Sequence, residues 1–186
     1  MTKIFIIHGA YGNPDENWFP WLRKELEKLG NTVFVPKFPT PEHQTLENWK
    51  KTFEIYKYQI DQDTVFVAHS LGPAFVLSIL ESINIQIKAC FFVSGFIDYL
   101  DNEKFDEINK TFIKKEFDWE TINKNCKQFF IFHSDNDPYV SLERSHELAE
   151  KLNTEITIIN NAGHFNEKSG YTEFELLLEE IKKCLT

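Results

Sequence analysis

A chain of 186 residues with 42% hydrophobic residues suits one soluble domain, spanning 1–186, with a substantial core to which its 18 Phe contribute. A formal net charge of −9 argues against nucleic acid as a partner, because phosphate backbones demand basic surfaces. No apolar run reaches the roughly 20 residues of a membrane span, so neither a membrane nor a leader segment is expected.

In chain order, short apolar runs alternate with helical patterns. Lys3–Ile7 reads as a strand buried on both faces, followed by a glycine-containing loop. The spacing of Trp18, Trp21, Leu22, Leu26 and Leu29 predicts a helix over Trp18–Leu29, with Pro20 in its first turn and Gly30 at its end. Thr32–Val35 is a second strand and Leu46–Ile60 a second helix. Thr64–Ala68 is the third strand, and Leu71–Ile83 the helix after it. Lys88–Ser94 and Gln128–His133 are strands four and five, separated by a long segment, Gly95–Lys127. Ser141 is a plausible N-cap for a helix to Leu152, Glu155–Ile159 is strand six, and Thr172–Leu185 closes the chain as a helix. Continuous apolar strands alternating with helices indicate an α/β fold, a parallel sheet covered on both faces.

Ala68-His69-Ser70-Leu71-Gly72 stands where the third strand turns into a helix. Such a tight turn raises a serine hydroxyl at the carboxyl edge of the sheet and needs small residues two positions to either side. Gly72 satisfies that need, and Ala68 departs from Gly by one methyl. A serine hydroxyl requires a base, and His164 follows the last strand, at the same sheet edge. The imidazole requires an orienting carboxylate. Asp135 and Asp137 both follow strand five; Asp137 is preferred because Pro138 stiffens the loop and Val140 can anchor it. The chain order Ser, Asp, His is that of the α/β-hydrolases.

Acyl transfer also calls for amide donors to the developing oxyanion. Leu71 N–H, directly after the serine, is one. The loop His8-Gly9-Ala10-Tyr11-Gly12 supplies the other, with Ala10 favoured over Tyr11, provided the strands run 2-1-3-4-5-6 so that this loop faces the turn.

Ile6-Ile7-His8-Gly9, Asn17 to Leu22, Val67 to Gly72, Val93 to Phe96, Asp137-Pro138 and Gly163-His164-Phe165 occur in order. With these pieces the chain resembles the small α/β-hydrolases of the YdeN and retinoblastoma-binding-protein-9-like serine hydrolase family. The six parallel strands with helices on both faces fit the α/β-hydrolase fold that the resemblance implies, a compact one lacking the first antiparallel strands of larger relatives, with a Ser70–Asp137–His164 triad. It names no natural substrate.

Gly95–Lys127 occupies the place of a helical lid after strand four, and equally fits a helical excursion packed on the sheet edge. Tyr11, Phe96, Tyr139 and Phe165 are candidates for lining the crevice, each equally able to sit in the core. Cys90, Cys126 and Cys184, an odd number, argue against a disulfide framework and for the reducing cytoplasm. Neither a Cys-x-x-Cys nor a His-Glu-x-x-His pattern offers a metal site, and no cofactor is expected. The leading expectation is a serine hydrolase of esterase type acting on small or medium acyl substrates, with amides or peptides as further substrates. A catalytically weak protein-binding module on the same fold is the alternative. A flavodoxin-like nucleotide or flavin binder fits less well, because the first loop lacks a Gly-x-Gly-x-x-Gly pattern. Oligomeric state is not legible.

Overall fold

Apolar strands without a polar interruption can lie only where both faces of a sheet are covered. In the computed structural model, which describes residues 1–186, they form one six-stranded parallel sheet in the order β2-β1-β3-β4-β5-β6. The strands are β1 (Lys3–Ile7), β2 (Thr32–Phe34), β3 (Val65–His69), β4 (Ala89–Val93), β5 (Phe129–Ser134) and β6 (Ile156–Ile159). The helices are α1 (Phe19–Lys28), α2 (Leu46–Phe53), α3 (Gly72–Leu80), α4 (Glu103–Ile113), α5 (Trp119–Lys124), α6 (Leu142–Lys151) and α7 (Glu175–Leu185).

Strand periodicity divides the core in two. Ile4, Ile6, Val65, Val67, Phe91 and Val93 face one side, where they meet Leu22 and Leu26 of α1 and Leu177 and Ile181 of α7. Phe5, Ile7, Phe66, Ala68, Cys90 and Phe92 face the other, against α2, α3, α5 and α6. Residues 95–127 also belong to this second layer: Phe112, Ile113 and Ile122 are core residues, and Lys115 pairs with Glu81 at the end of α3. No helix is long and apolar enough to cross a membrane.

Three local expectations change. The helix foreseen over Leu46–Ile60 ends at Phe53 and continues as a 3-10 turn over Glu54–Gln59. Ile55 and Tyr58 there are exposed, so no apolar stripe holds a further α-turn on the core. The closing helix begins at Glu175, because the backbone of Phe174 is not helical and its ring is turned into the core. Ser141 occupies the N-cap of α6 without using its side chain, its backbone carbonyl accepting from Arg144 instead.

Candidate active site

Parallel pairing sets Ile7 beside Ala68 and His69 beside Val93, so the loops after β1, β3 and β4 emerge together. Between β3 and α3, Ser70 turns the chain with φ +58°, a left-handed conformation costly for any residue but glycine. Its N–H donates to Val93 O at 2.9 Å, tying the turn to β4. A Cβ on Gly72 would lie 2.8 Å from Ile7 O and 3.2 Å from Ala68 Cβ. The methyl of Ala68 is therefore accommodated because position 72 carries none. Gly9 meets the turn from the far side, where a Cβ would come within 2.6 Å of Ser70 Cβ.

His164 leaves the loop after β6 with its ring in the cavity that Ser70 also lines. Its Nδ1 lies 2.8 Å from Asp137 Oδ2. The same carboxylate oxygen accepts from Ser94 Oγ at 2.7 Å, while Oδ1 accepts from the N–H groups of Tyr139 and Val140 at 2.9 and 3.1 Å. Burial pushes the Asp137 carboxyl up, but the bond and charge of His164, the Tyr139 amide and the Ser94 hydroxyl together outweigh it and hold it below its usual value. An ionised carboxylate only accepts, so Nδ1 of His164 carries the proton and Nε2 is left free to take one.

The backbone of this histidine is held as well. His69 Nε2–H donates to His164 O at 2.8 Å, and Trp18 Nε1–H to Phe165 O at 3.0 Å. Burial, helped by the nearby His164, keeps His69 at a pKa of about 3, so its ring is a neutral donor. No hydrogen bond joins Ser70 Oγ to His164, although both residues line the same cavity. Asp135 is exposed and caps a different turn, accepting from Asn161 N–H at 2.7 Å.

The first loop is held through the His8 ring and through Thr40. Phe38 N–H donates to His8 Nε2 at 3.0 Å, which leaves Nδ1 of this buried ring to donate to Gly9 O at 2.8 Å. Burial holds His8 down to about 4, so it too is neutral. Tyr11 N–H, the lesser oxyanion candidate, is taken by Thr40 Oγ1 at 2.6 Å. Ala10 N–H and Leu71 N–H donate to no group of the protein.

The cavity, of about 430 Å³, has an aromatic wall of Tyr11, Phe105 and Tyr139 and a polar wall that includes Glu16, Asn17, Asn166 and Glu167. Phe105 of α4 packs edge-on against both tyrosines, and Tyr139 against His164. Leu100 and Lys104 join the aromatic side, so residues 95–127 reach the cavity at one end and pack on α3 at the other. Burial raises the Glu16 carboxyl above its usual value, and Glu167 nearby adds to the effect.

Of the four aromatic candidates, Tyr11 and Tyr139 lie at the cavity, whereas Phe96 and Phe165 lie away from it. Phe96 lies in the core on the α3 side, and Phe165 stacks on Phe174 at 5.1 Å beneath the His164 loop. Burying a phenyl ring is worth about 2–3 kcal/mol, and both side chains can reach the interior from their loops. Sequence reasoning missed the contact of Ser94 with Asp137, the clamp from Trp18, and the walls supplied by Phe105 and Glu16. Ser94 had a signal, a small polar residue following an otherwise apolar strand at the carboxyl edge of the sheet.

The serine hydrolase family model matches residues 4–183. The protein YdeN of Bacillus subtilis (strain 168) is 31% identical over 185 residues, covering 97% of this chain and 95% of that protein. Serine hydrolase RBBP9 of Rattus norvegicus is 27% identical, covering 100% and 96%. The crystal structure of the Bacillus subtilis ydeN gene product superposes with a TM-score of 0.92 at 27% identity, over 99% of this chain and 98% of that one. Est1E of Butyrivibrio proteoclasticus with bound ferulic acid shares the α/β-hydrolase fold, with a TM-score of 0.73 at 18% identity, over 98% and 87% of the two chains.

Proposed function

The chain belongs to the serine hydrolase family, and we propose that it is an esterase-type member cleaving small or medium acyl substrates through an acyl-serine intermediate. The observation that carries this reading is the His164 Nδ1 to Asp137 Oδ2 contact, made by a ring that shares its cavity with the strained Ser70 turn. As substrate enters, Nε2 of His164 takes the Ser70 proton while Oγ attacks the acyl carbon. The tetrahedral oxyanion accepts from Ala10 N–H and Leu71 N–H, donors already free of other partners. The imidazolium, stabilised by Asp137, returns the proton to the departing alkoxide. Water then attacks the acyl-serine, with His164 first as base and then as acid, releasing the carboxylic acid and restoring Ser70. A cavity of about 430 Å³ has room for small or medium acyl groups.

Turnover of p-nitrophenyl esters from acetate to dodecanoate tests the proposal, together with labelling by a fluorophosphonate probe. Wild type should turn over the short esters and take up one probe at Ser70, and Ser70→Ala should do neither. Equal turnover by the two proteins, or a folded wild type that resists the probe, refutes the assignment.

A further inference from the structure

The amide assigned to the oxyanion sits between two peptides that the protein holds by separate means. On one side Gly9 O accepts from His8 Nδ1–H at 2.8 Å and from Gly12 N–H at 3.2 Å. On the other, Tyr11 adopts φ +58°, and its N–H is held by Thr40 Oγ1 at 2.6 Å. A bulky residue in the left-handed region stays there only when its surroundings hold it. Thr40 is in turn oriented: its one hydroxyl proton goes to Gln44 Oε1, which leaves the oxygen lone pairs for the Tyr11 amide.

Gln44 is buried, and the rest of its side chain is spent on α4. Nε2 donates to Asn109 Oδ1 at 2.8 Å and to Ile108 O at 3.1 Å, and Asn109 is itself only 1% exposed. A second tie lies beside it, where Leu46 N–H donates to Thr111 Oγ1 at 3.0 Å. Each group in the series has one role open to it. The Tyr11 amide donates to Thr40, Thr40 donates to Gln44, and the Gln44 amide group donates to α4. The same helix brings Lys104 and Phe105 to the cavity one turn earlier.

We infer that Thr40 and Gln44 are positioning residues that tie the Ala10 oxyanion donor to helix α4, so that the helix walling the substrate cavity also sets the aim of this amide. The inference rests on the proposed acyl transfer at Ser70 with Ala10 N–H as an oxyanion donor. Neither Thr40 nor Gln44 lines the cavity, so their effect should fall on the chemical step rather than on substrate binding. Thr40→Val keeps the side-chain shape and removes the hydroxyl, Thr40→Ser keeps the hydroxyl, and Gln44→Met keeps the length and removes both polar atoms.

The test measures kcat and KM of the full chain on a short oxygen ester and on its thiono counterpart, with rates divided by the fraction of chains titrated by a fluorophosphonate. Sulfur accepts hydrogen bonds weakly, so a misaligned oxyanion donor should harm the oxygen ester more than the thiono ester. Removing an oxyanion donor outright costs about 100- to 1,000-fold in kcat, so misdirecting one in Thr40→Val should cost about tenfold or more on the oxygen ester, with KM within about twofold. Gln44→Met should move the same way, and Thr40→Ser should stay within about threefold of wild type. Unchanged kcat in Thr40→Val and Gln44→Met overturns the inference, as does a Thr40→Ser loss equal to that of Thr40→Val, or an equal loss on both esters. If Thr40→Val does not fold, Gln44→Met and Thr40→Ser carry the same comparison. A wild type without Ser70-dependent turnover overturns the acyl-transfer reading and this inference together, whereas the other results overturn only the inference.

Discussion

Replacing Asp137 by Asn changes no heavy-atom shape but forces a choice on the side chain. Two backbone amides, from Tyr139 and Val140, point at Oδ1, so the amide oxygen of an Asn must take that position. Its NH2 group then faces Ser94 Oγ and His164 Nδ1, where the wild-type carboxylate oxygen accepts from both. Nδ1 of His164 can no longer donate there and becomes the acceptor, which moves the ring proton to Nε2. In that tautomer the atom facing the cavity holds a proton and cannot take one from Ser70. The same switch in a serine protease triad lowers kcat by about 10⁴, equivalent to about 5.5 kcal/mol in the barrier, and a similar loss is expected here. The assay is kcat for a short p-nitrophenyl ester at neutral pH, with circular dichroism verifying the fold and Asp135→Asn as comparison. Asp135 bonds only the amide of Asn161 in the hydrogen-bond network, so its variant should keep activity within about threefold of wild type. A turnover in Asp137→Asn within tenfold of wild type, or an Asp135→Asn protein equally impaired, would refute the tautomer argument.

Gly9→Ala should abolish esterase activity while the protein still folds, because the new methyl would lie 2.6 Å from Ser70 Cβ and must displace the nucleophile or its own loop; full activity would show that the contact is slack. Acid should destabilise the protein steeply below about pH 6. An unfolded histidine takes up its proton near 6.5, whereas His8 and His69 stay neutral down to about 4 and about 3. The unfolded chain therefore binds more protons in this window, and stability falls as pH drops through it, by about 1.4 kcal/mol per pH unit for each residue. Asp137, held low in the folded state, adds a loss of the same sign at lower pH. Urea midpoints between pH 7 and 4.5 measure the slope, and His8→Gln with a slope equal to wild type would contradict the assignment. Trp18→Phe removes the donor to Phe165 O and should lower unfolding free energy by about 1–2 kcal/mol, read from the urea midpoint, with a smaller effect on kcat. No change in stability would show that the indole bond contributes nothing.

The sheet was legible because its strands are uninterrupted apolar runs, and such runs admit only a doubly covered parallel arrangement. The candidate site followed from this order: β1, β3, β5 and β6 end at one edge of the sheet, which brings Ala10, Ser70, Asp137 and His164 close together. Pro138 and Val140 favoured Asp137 over Asp135 in the sequence, but the two backbone amides and the serine hydroxyl that hold Asp137 against His164 are encoded in no periodicity. Phe96 and Phe165 could not be separated from Tyr11 and Tyr139 by sequence, since a loop aromatic turns inward or outward according to space that only packing creates. The walls of the cavity were hidden for a related reason. Glu16, Phe105 and Glu167 lie on three segments far apart in the chain and form no local pattern.

Helix α4 carries two tasks one turn apart. Phe105 walls the cavity, and Asn109 holds Gln44 on the opposite end of a buried polar series. Variation at the two positions therefore has different consequences over evolutionary time. The side chain at 105 can be exchanged for a smaller or more polar one and open the cavity to new acyl groups, with the amides around Ser70 left in place. An apolar residue at 109 would remove one of the two acceptors of the Gln44 amide group and leave it Ile108 O alone, a change that selection for the proposed acyl transfer should resist whatever the substrate. Under the proposed acyl transfer, a lineage can thus drift in its substrates through 105 while 109 stays constant. Grafting a foreign segment over 95–127 would keep the rate only if it also brought an acceptor to that place.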